Sequence, residues 1–524
     1  MTVNTIRNLL EQAAERFPDK AAILFEGQSC TYAELLRRVN KIANFISAQR
    51  FSKGSRIGIY SDKSLEQVVA ILAIMSTGHI FVPITRLLKP EQVKHIVNDS
   101  GIVCMITDEK KIKAVEETGF EGLIVSYDAG KSEGVSFEEI YKCYPDDGME
   151  CDTKGHDNAA ITYTFSSTGN PKGIVINHRA FFDGAAIVSR YLGVRQDDII
   201  SGLLSFNLDY GLNQIFTALY NGATLAIHRF VLPGDFFSHL IDDRVTILPL
   251  MPIHISQMFD EDPHRIPKQE HFSHLRAITS SGGNITPLMI KNITTHFPDA
   301  KFYSMHGLSE AFRSAYLDPA QIHIRPDSIG KAVPDVELYI INEKGEACEP
   351  REVGELIHRG ACIYKGYWNA PEETQKRFKS IEILKNVLKP EGMLTDETVV
   401  ASGDFVYADE EGYIYFVGRK DDMIKTQGYR VSPHEIESVV FSYIPDIREC
   451  IVFSVPNEEI EEEIVMVYAA KKEIPKNEIL FELKKHLPNY MLPSQIIFDT
   501  NMPRKSLHSK QIDKEVLRKK FLNY

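Results

Sequence analysis

Residues 5–17 place Ile6, Leu9, Leu10 and Ala13 three and four positions apart, the spacing of one apolar helix face. The alternating runs 21–25 and 29–32 predict a small hairpin, and 32–49 a second helix. From there short apolar runs at 56–60, 80–83, 102–106 and 123–125 alternate with helical segments. That alternation predicts a mostly parallel sheet covered by helices, because neighbouring parallel strands need a crossover and a helix is the usual one. Two further strands, 159–163 and 174–176, flank a loop rich in glycine and hydroxyl residues. A helix over 178–191 follows, and the runs 203–206, 224–227 and 245–248 restart the alternation. From 336 to 416 the texture changes to short strands with glycine-rich turns, as in Gly354-Glu355-Leu356-Ile357 and Gly412-Tyr413-Ile414-Tyr415-Phe416.

These patterns predict an α/β protein of two parts. Residues 1–420 are expected to form a large N-terminal domain, with αβ layers over about 1–190 and 190–335 and a β-subdomain over 336–420. Residues 421–524 are expected to form a small, mobile α+β C-terminal domain. Within it the Glu-rich segment 458–463 is expected to be a solvated loop or helix face.

A chain of 524 residues exceeds what one hydrophobic core organises, which agrees with several domains. Acidic residues outnumber basic ones, 72 to 59, and a net charge of −13 argues against a general nucleic-acid surface. The seven cysteines form no CxxC pair and no His/Cys cluster at metal spacing, so free thiols in a reducing compartment are expected. The N-terminus has neither the basic segment nor the apolar core of a secretory signal, and the most apolar run, 68–75, is too short to span a bilayer. A cytoplasmic protein with no membrane or nucleic-acid partner is the expectation.

Candidate chemistry centres on residues 163–173, Tyr-Thr-Phe-Ser-Ser-Thr-Gly-Asn-Pro-Lys-Gly. A Walker loop needs Ser or Thr directly after its lysine and then a helix; here Gly173 follows Lys172 and β-branched residues come next. Two readings fit what remains. Backbone N–H groups, the hydroxyls of Ser166, Ser167 and Thr168 and the Lys172 cation can wrap polyphosphate oxygens. The same residues also make an ordinary hairpin turn.

This stretch resembles the phosphate-binding signature of the AMP-forming adenylating enzymes, which include acyl-CoA synthetases, luciferases and peptide-synthetase adenylation domains. Their usual form is Tyr-Thr-Ser-Gly-Ser/Thr-Thr-Gly-x-Pro-Lys-Gly, and Phe165 and Ser166 stand here where that form has Ser and Gly. The resemblance implies that Thr164, Ser166, Ser167, Thr168, Gly169 and Lys172 hold ATP phosphates. Ser280-Ser281-Gly282-Gly283-Asn284 is similar to the family's glycine pair, implying that Gly283 lets the base approach the backbone; a plain turn is the competing account. Residues 303–310 stand where the family reads Tyr-Gly-x-Thr-Glu. The resemblance implies that His306 stacks on adenine in place of Tyr, that Gly307 and Ser309 border the nucleotide, and that Glu310 holds Mg²⁺. A helix-start carboxylate is the alternative for Glu310. The extension Ala311-Phe312-Arg313-Ser314 resembles stand-alone acyl or aminoacyl ligases of bacterial glycan and secondary-metabolite loci.

Ser402-Gly403-Asp404 and Gly418-Arg419-Lys420-Asp421 also resemble family motifs. They imply that Asp404 accepts the ribose hydroxyls, that Arg419 reaches ribose or phosphate, and that Asp421 is the hinge between the two parts. A local salt bridge between Asp404 and Arg419, and a plain linker carboxylate at Asp421, are the alternatives. Residues 425–431 resemble the loop that swings in for thioester formation, with Gly428 admitting a pantetheine arm; a turn glycine is the alternative. Near the C-terminus the family has Pro-Arg-Thr-x-x-Gly-Lys followed by Ile-Asp-Arg. Anchoring on Pro503 or on Ile512 displaces Lys510 by one position, and Ser509 replaces the glycine. Lys510 is taken as the catalytic lysine beside Lys172 and Glu310, with Lys505 and Lys514 as rivals. The last motif ends near Lys514 and the sequence stops at Tyr524, so no carrier domain is expected to follow.

Counting back from Gly222-Ala223, Asp209 falls where amino-acid-activating members carry the carboxylate that pairs with the substrate ammonium. A helix N-cap is the alternative role. The resulting expectation is an ATP- and Mg²⁺-dependent ligase that adenylates a carboxylic acid, an amino acid for preference. A thiol then takes the acyl group, on CoA or on the phosphopantetheine of a carrier protein in trans. The alternatives are an acyl-CoA ligase for a non-amino acid and a nucleotide-binding regulatory protein of impaired catalysis.

Overall fold

The computed structural model describes residues 5–522 apart from 87, 89, 129–134, 149–151, 165–170, 231, 260–265, 362, 389–396, 427–428, 458–460 and 505–511, with backbone alone at a few positions inside elements. Three sheets organise it. A seven-stranded sheet runs, in spatial order, through 135–136, 123–126, 102–107, 56–60, 80–83, 158–164 and 172–177. Every pairing in it is parallel except the last, where Asn158–Thr164 and Lys172–Asn177 form a hairpin. The alternation read from sequence thus becomes a parallel sheet with one antiparallel edge.

A second sheet of fourteen strands joins two textures. Its parallel part carries Lys301–His306, Ala277–Ser280, Ile247–Leu250, Ile199–Ser201 and Thr224–Ala226. The expected hairpin forms at Ala21–Phe25 and Gln28–Thr31 but pairs with Thr224–Ala226, far away in sequence. The antiparallel strands of 315–419 continue the same sheet. A third sheet of five strands lies wholly within 424–498.

Local chemistry sets the helices. Thr31 and Glu34 form a reciprocal capping box at the start of Tyr32–Ala48. Asn177 caps His178–Leu192, and Gly193, at φ 57°, ends it in the left-handed conformation. The apolar run 68–75 lies in Leu65–Ser76, whose residues from Gln67 on are buried on every face. A helix apolar all round belongs in a core, and no helix among the described residues is long and apolar enough to cross a membrane.

Three local expectations are corrected. Residues 203–206 are not a strand: the strand is Ile199–Ser201, and the chain then turns toward the helix Asp209–Asn221. The described part of the Glu-rich segment is the start of the strand Glu461–Ala470, where Glu462 accepts from Lys425 N–H at 2.6 Å and Glu463 from Ser494 Oγ at 2.6 Å. Glu310 does not start a helix; it lies in a bend before Ala311, which bridges to Ile363.

Candidate active site

Lys172 is the first residue of its strand and pairs with Thr164, so the hairpin fixes both ends of the glycine-rich loop. Gly173 is packed: a Cβ there would lie 2.6 Å from Ile161 Cγ2. Residues 365–368 run along the outside of this strand through Val175 N–H to Gly366 O, Lys365 N–H to Val175 O and Trp368 N–H to Gly173 O. That third line of chain brings Tyr367 and Glu373 to Lys172. Lys172 Nζ donates to Glu373 Oε2 at 2.6 Å and lies 5.7 Å from the centre of the Tyr367 ring. The Tyr367 hydroxyl donates to Glu310 Oε1, and Tyr364 N–H donates to the Glu310 carbonyl. Lys172 and Glu310, far apart in sequence, therefore belong to one cluster. Hydrogen bonds from Lys172 and then Lys376 hold the Glu373 carboxyl down at about 2. Burial and the neighbouring Glu310 push the Tyr367 phenol up.

The strand Lys301–His306 delivers His306 to the second cluster. Its Nε2 is 3.5 Å from Asp404 Oδ2, and Arg419 Nη1 is 3.5 Å from Asp404 Oδ1, across the paired strands 398–408 and 414–419. Asp404 is almost wholly buried. Burial works against its charge, yet His306 and Arg419 outweigh it and take the carboxyl below its usual range. Beneath them lies His358, stacked 6.5 Å from the His306 ring at 24°. Burial, reinforced by the neighbouring His306, lowers the His358 imidazole to about 3, so it is neutral. Neither nitrogen of His358, nor His306 Nε2, nor Asp404 Oδ1 has a hydrogen-bond partner among the described residues. The large majority of buried polar side-chain atoms in folded proteins are paired.

Gly307 makes the turn between these clusters: a Cβ there would sit 2.8 Å from Arg313 Cα, so only glycine lets residues 307 and 313 pass. Ser309 is exposed on the following bend. Gly283 follows Gly282, which turns at φ 84°, and its own Cβ would touch Pro252 at 3.2 Å.

A profile of the AMP-binding enzyme family matches residues 10–368. The chain belongs to this family. Among relatives of this AMP-binding enzyme are tyrocidine synthase 1 of Brevibacillus parabrevis, 28% identical over 95% of this chain and 44% of that protein, and surfactin synthase subunit 2 of Bacillus subtilis, 28% identical over 94% of this chain and 13% of that protein. The chain spans less than half the length of the curated relatives it matches. Its fold is that of ATP-bound MatB from Rhodopseudomonas palustris, at a TM-score of 0.85 and 23% identity over 98% of this chain and 99% of the other. An anthranilate CoA ligase with anthranoyl-AMP has the same fold, at 0.85 and 22% over 99% and 98%. Family membership makes this an AMP-binding enzyme; it carries neither the acid nor the thiol.

In this AMP-binding enzyme Asp209 is the first residue of the helix Asp209–Asn221, whose N-cap is Leu208 without a side-chain cap bond. Asp209 Oδ1 accepts the N–H of Tyr210 at 2.7 Å. The capping role is thus only partly filled. Burial raises the Asp209 carboxyl, Arg313 opposes that rise and Glu310 adds to it, which places Asp209 in the electrostatic reach of the phosphate-side cluster. Asp421 lies in the short turn Lys420–Asp422, just before the strand Ile424–Thr426 that enters the five-stranded sheet. Lys514 starts the last helix, Lys514–Leu522. Ser166, Ser167, Thr168, Gly169, Gly428, Lys505 and Lys510 lie outside the described residues. Reading the sequence missed Tyr367, Glu373 and His358. Their only sequence signal is an aromatic after Gly366 and a histidine after Leu356-Ile357 in a strand that also holds Glu355 and Arg359, and neither pattern is specific.

Proposed function

We propose that this enzyme adenylates an amino acid and passes it to a thiol. A carboxylate oxygen of the acid attacks the α-phosphorus of ATP, the bond to the bridging oxygen of the β-phosphate breaks, and pyrophosphate leaves. The thiolate of CoA or of a carrier's phosphopantetheine then attacks the acyl carbon, the carbon–oxygen bond breaks, and AMP leaves. On the nucleotide side, Lys172 and Arg419 supply positive charge, Asp404 takes the ribose hydroxyls, and His306 lies against the base. Glu310 would hold Mg²⁺; one carboxylate beside phosphate oxygens is an ordinary magnesium donor set. Bound there, the ion would offset charge building on the transferring phosphorus. Lys510, Asp421 and Gly428 complete the assignment as closing lysine, hinge and thiol-arm contact.

Asp209 carries the amino-acid reading. A carboxylate half-buried at the head of a helix, without a full capping bond, is suited to a cationic partner. The peptide synthetases among its relatives support the same choice. One observation favours a second reading: Arg313 already lies in the field of Asp209, so Asp209 also has a resident cation and an acid without an amino group would suffice. Pyrophosphate exchange with an amino acid and its desamino analogue separates the two. Asp209→Ala should cost about 3–5 kcal/mol in use of the amino acid and spare the desamino acid. An unchanged preference with a lower melting point sinks the amino-acid reading, and exchange with no acid sinks the enzyme reading.

A further inference from the structure

The guanidinium of Arg313 is a cation almost wholly removed from water, since the residue keeps 5% of its surface. It donates to Asn213 Oδ1 and lies 4.7 Å from the centre of the Tyr210 ring and 4.4 Å from that of Phe312. Asp209 and Asn213 are four residues apart on one helix, so they share a face, and Arg313 meets that face. Tyr210 hydrogen-bonds in turn to Thr279 Oγ1 at 2.7 Å. The turn at Gly307 ties Arg313 directly to the His306–Glu310 segment.

An alkyl or aryl acid offers a buried guanidinium no charge-assisted bond. A planar guanidinium beside a side-chain amide instead matches a carboxylate, which can accept several charge-assisted bonds at once. We infer that Arg313, with Asn213, is the specificity-determining residue of the acid site and selects an acid bearing a second carboxylate at its far end. Asp209 and Arg313 then read opposite charges. With an α-ammonium present the substrate is an acidic amino acid; without it, a dicarboxylic acid.

This inference rests on the adenylation reading, and the test separates the two. Pyrophosphate exchange is measured with glutamate and norvaline, with their desamino counterparts glutarate and valerate, with the next shorter set, and with apolar and aromatic amino acids. The expected result is a preference of about 100-fold or more in kcat/KM for the members with a distal carboxylate. Arg313→Met should bring that preference below about fivefold while the alkyl acids are still used, and Arg313→Lys should fall between. Equal or better use of the alkyl members by the unmodified protein overturns the inference and leaves adenylation standing. So does an Arg313→Met protein that melts lower but keeps the preference. Should that variant fail to fold, the preference of the unmodified protein decides. Exchange with none of these acids overturns both readings.

Discussion

Two histidine clusters in this protein each set a histidine against an aspartate and differ in how far their buried polar atoms are satisfied. Both ring nitrogens of His228 have a partner: Ser201 Oγ lies 2.8 Å from Nδ1 and Asp243 Oδ2 lies 2.8 Å from Nε2, with His239 stacked at 6.0 Å and 7°. Serine, histidine and aspartate in line are the residue types of an acyl-transfer triad, but Ser201 has no exposed surface inside its strand, so no substrate reaches it. Around His306, by contrast, His358 and Asp404 hold buried polar atoms with no hydrogen-bond partner among the described residues. A saturated cluster contributes to stability. An unsaturated one is a standing cost, which folded proteins keep where a ligand meets it. The difference is what the proposal of a nucleotide site at His306 expects, and it does not depend on the histidine and aspartate that both clusters contain.

The largest expected effect tests the working side. Glu310→Gln keeps an oxygen for the Tyr367 hydroxyl but removes the charge, so exchange should fall about 10²–10³-fold with little change in melting temperature. A large drop in melting temperature would place Glu310 among the structural groups instead. On the saturated side the pattern reverses. His228→Leu strands the Ser201 hydroxyl and Asp243 and should cost about 2–4 kcal/mol in urea unfolding, while exchange per folded molecule stays near that of the parent.

The smallest effect sharpens the contrast most. His358→Leu removes a ring that bonds to nothing among the described residues, so stability at neutral pH should hold or rise by about 1 kcal/mol, while KM for ATP increases. Its acid limb should also change. The buried ring titrates near 3 instead of 6.5, so as pH falls through that window the unfolded chain takes up a proton that the folded ring refuses, and stability declines. The leucine variant lacks this contribution and should lose less stability between pH 7 and 4.5. If it destabilises as much as His228→Leu, saturation does not distinguish the two clusters.

Much of the site was legible because its chemistry is local. The run 163–173, the His306–Glu310 segment and the Asp404 and Arg419 motifs each lie within a few residues of chain, so their resemblance to a family's motifs implied nucleotide chemistry, where residue type alone left a turn or a salt bridge as the alternative. Strand alternation was legible for the same reason: the side-chain period of a strand is two and of a helix 3.6, and both are written in neighbouring positions. Tertiary structure decided what depends on distant partners. The hairpin 21–31 joined the strand Thr224–Ala226, since edge pairing is chosen by sheet neighbours and not by nearness in sequence. Tyr367 reached Glu310 and Lys172 because residues 365–368 lie along the strand 172–177. Arg313, in the sequence one member of the 311–314 extension without a role of its own, became a buried cation beside Asn213 only when the turn at Gly307 brought it to the helix Asp209–Asn221. Burial turned His358 into a neutral ring without hydrogen bonds and His228 into a saturated one. Sequence determined which groups were present; desolvation and hydrogen-bond supply, which are properties of the packed interior, determined which of them were left to meet a ligand.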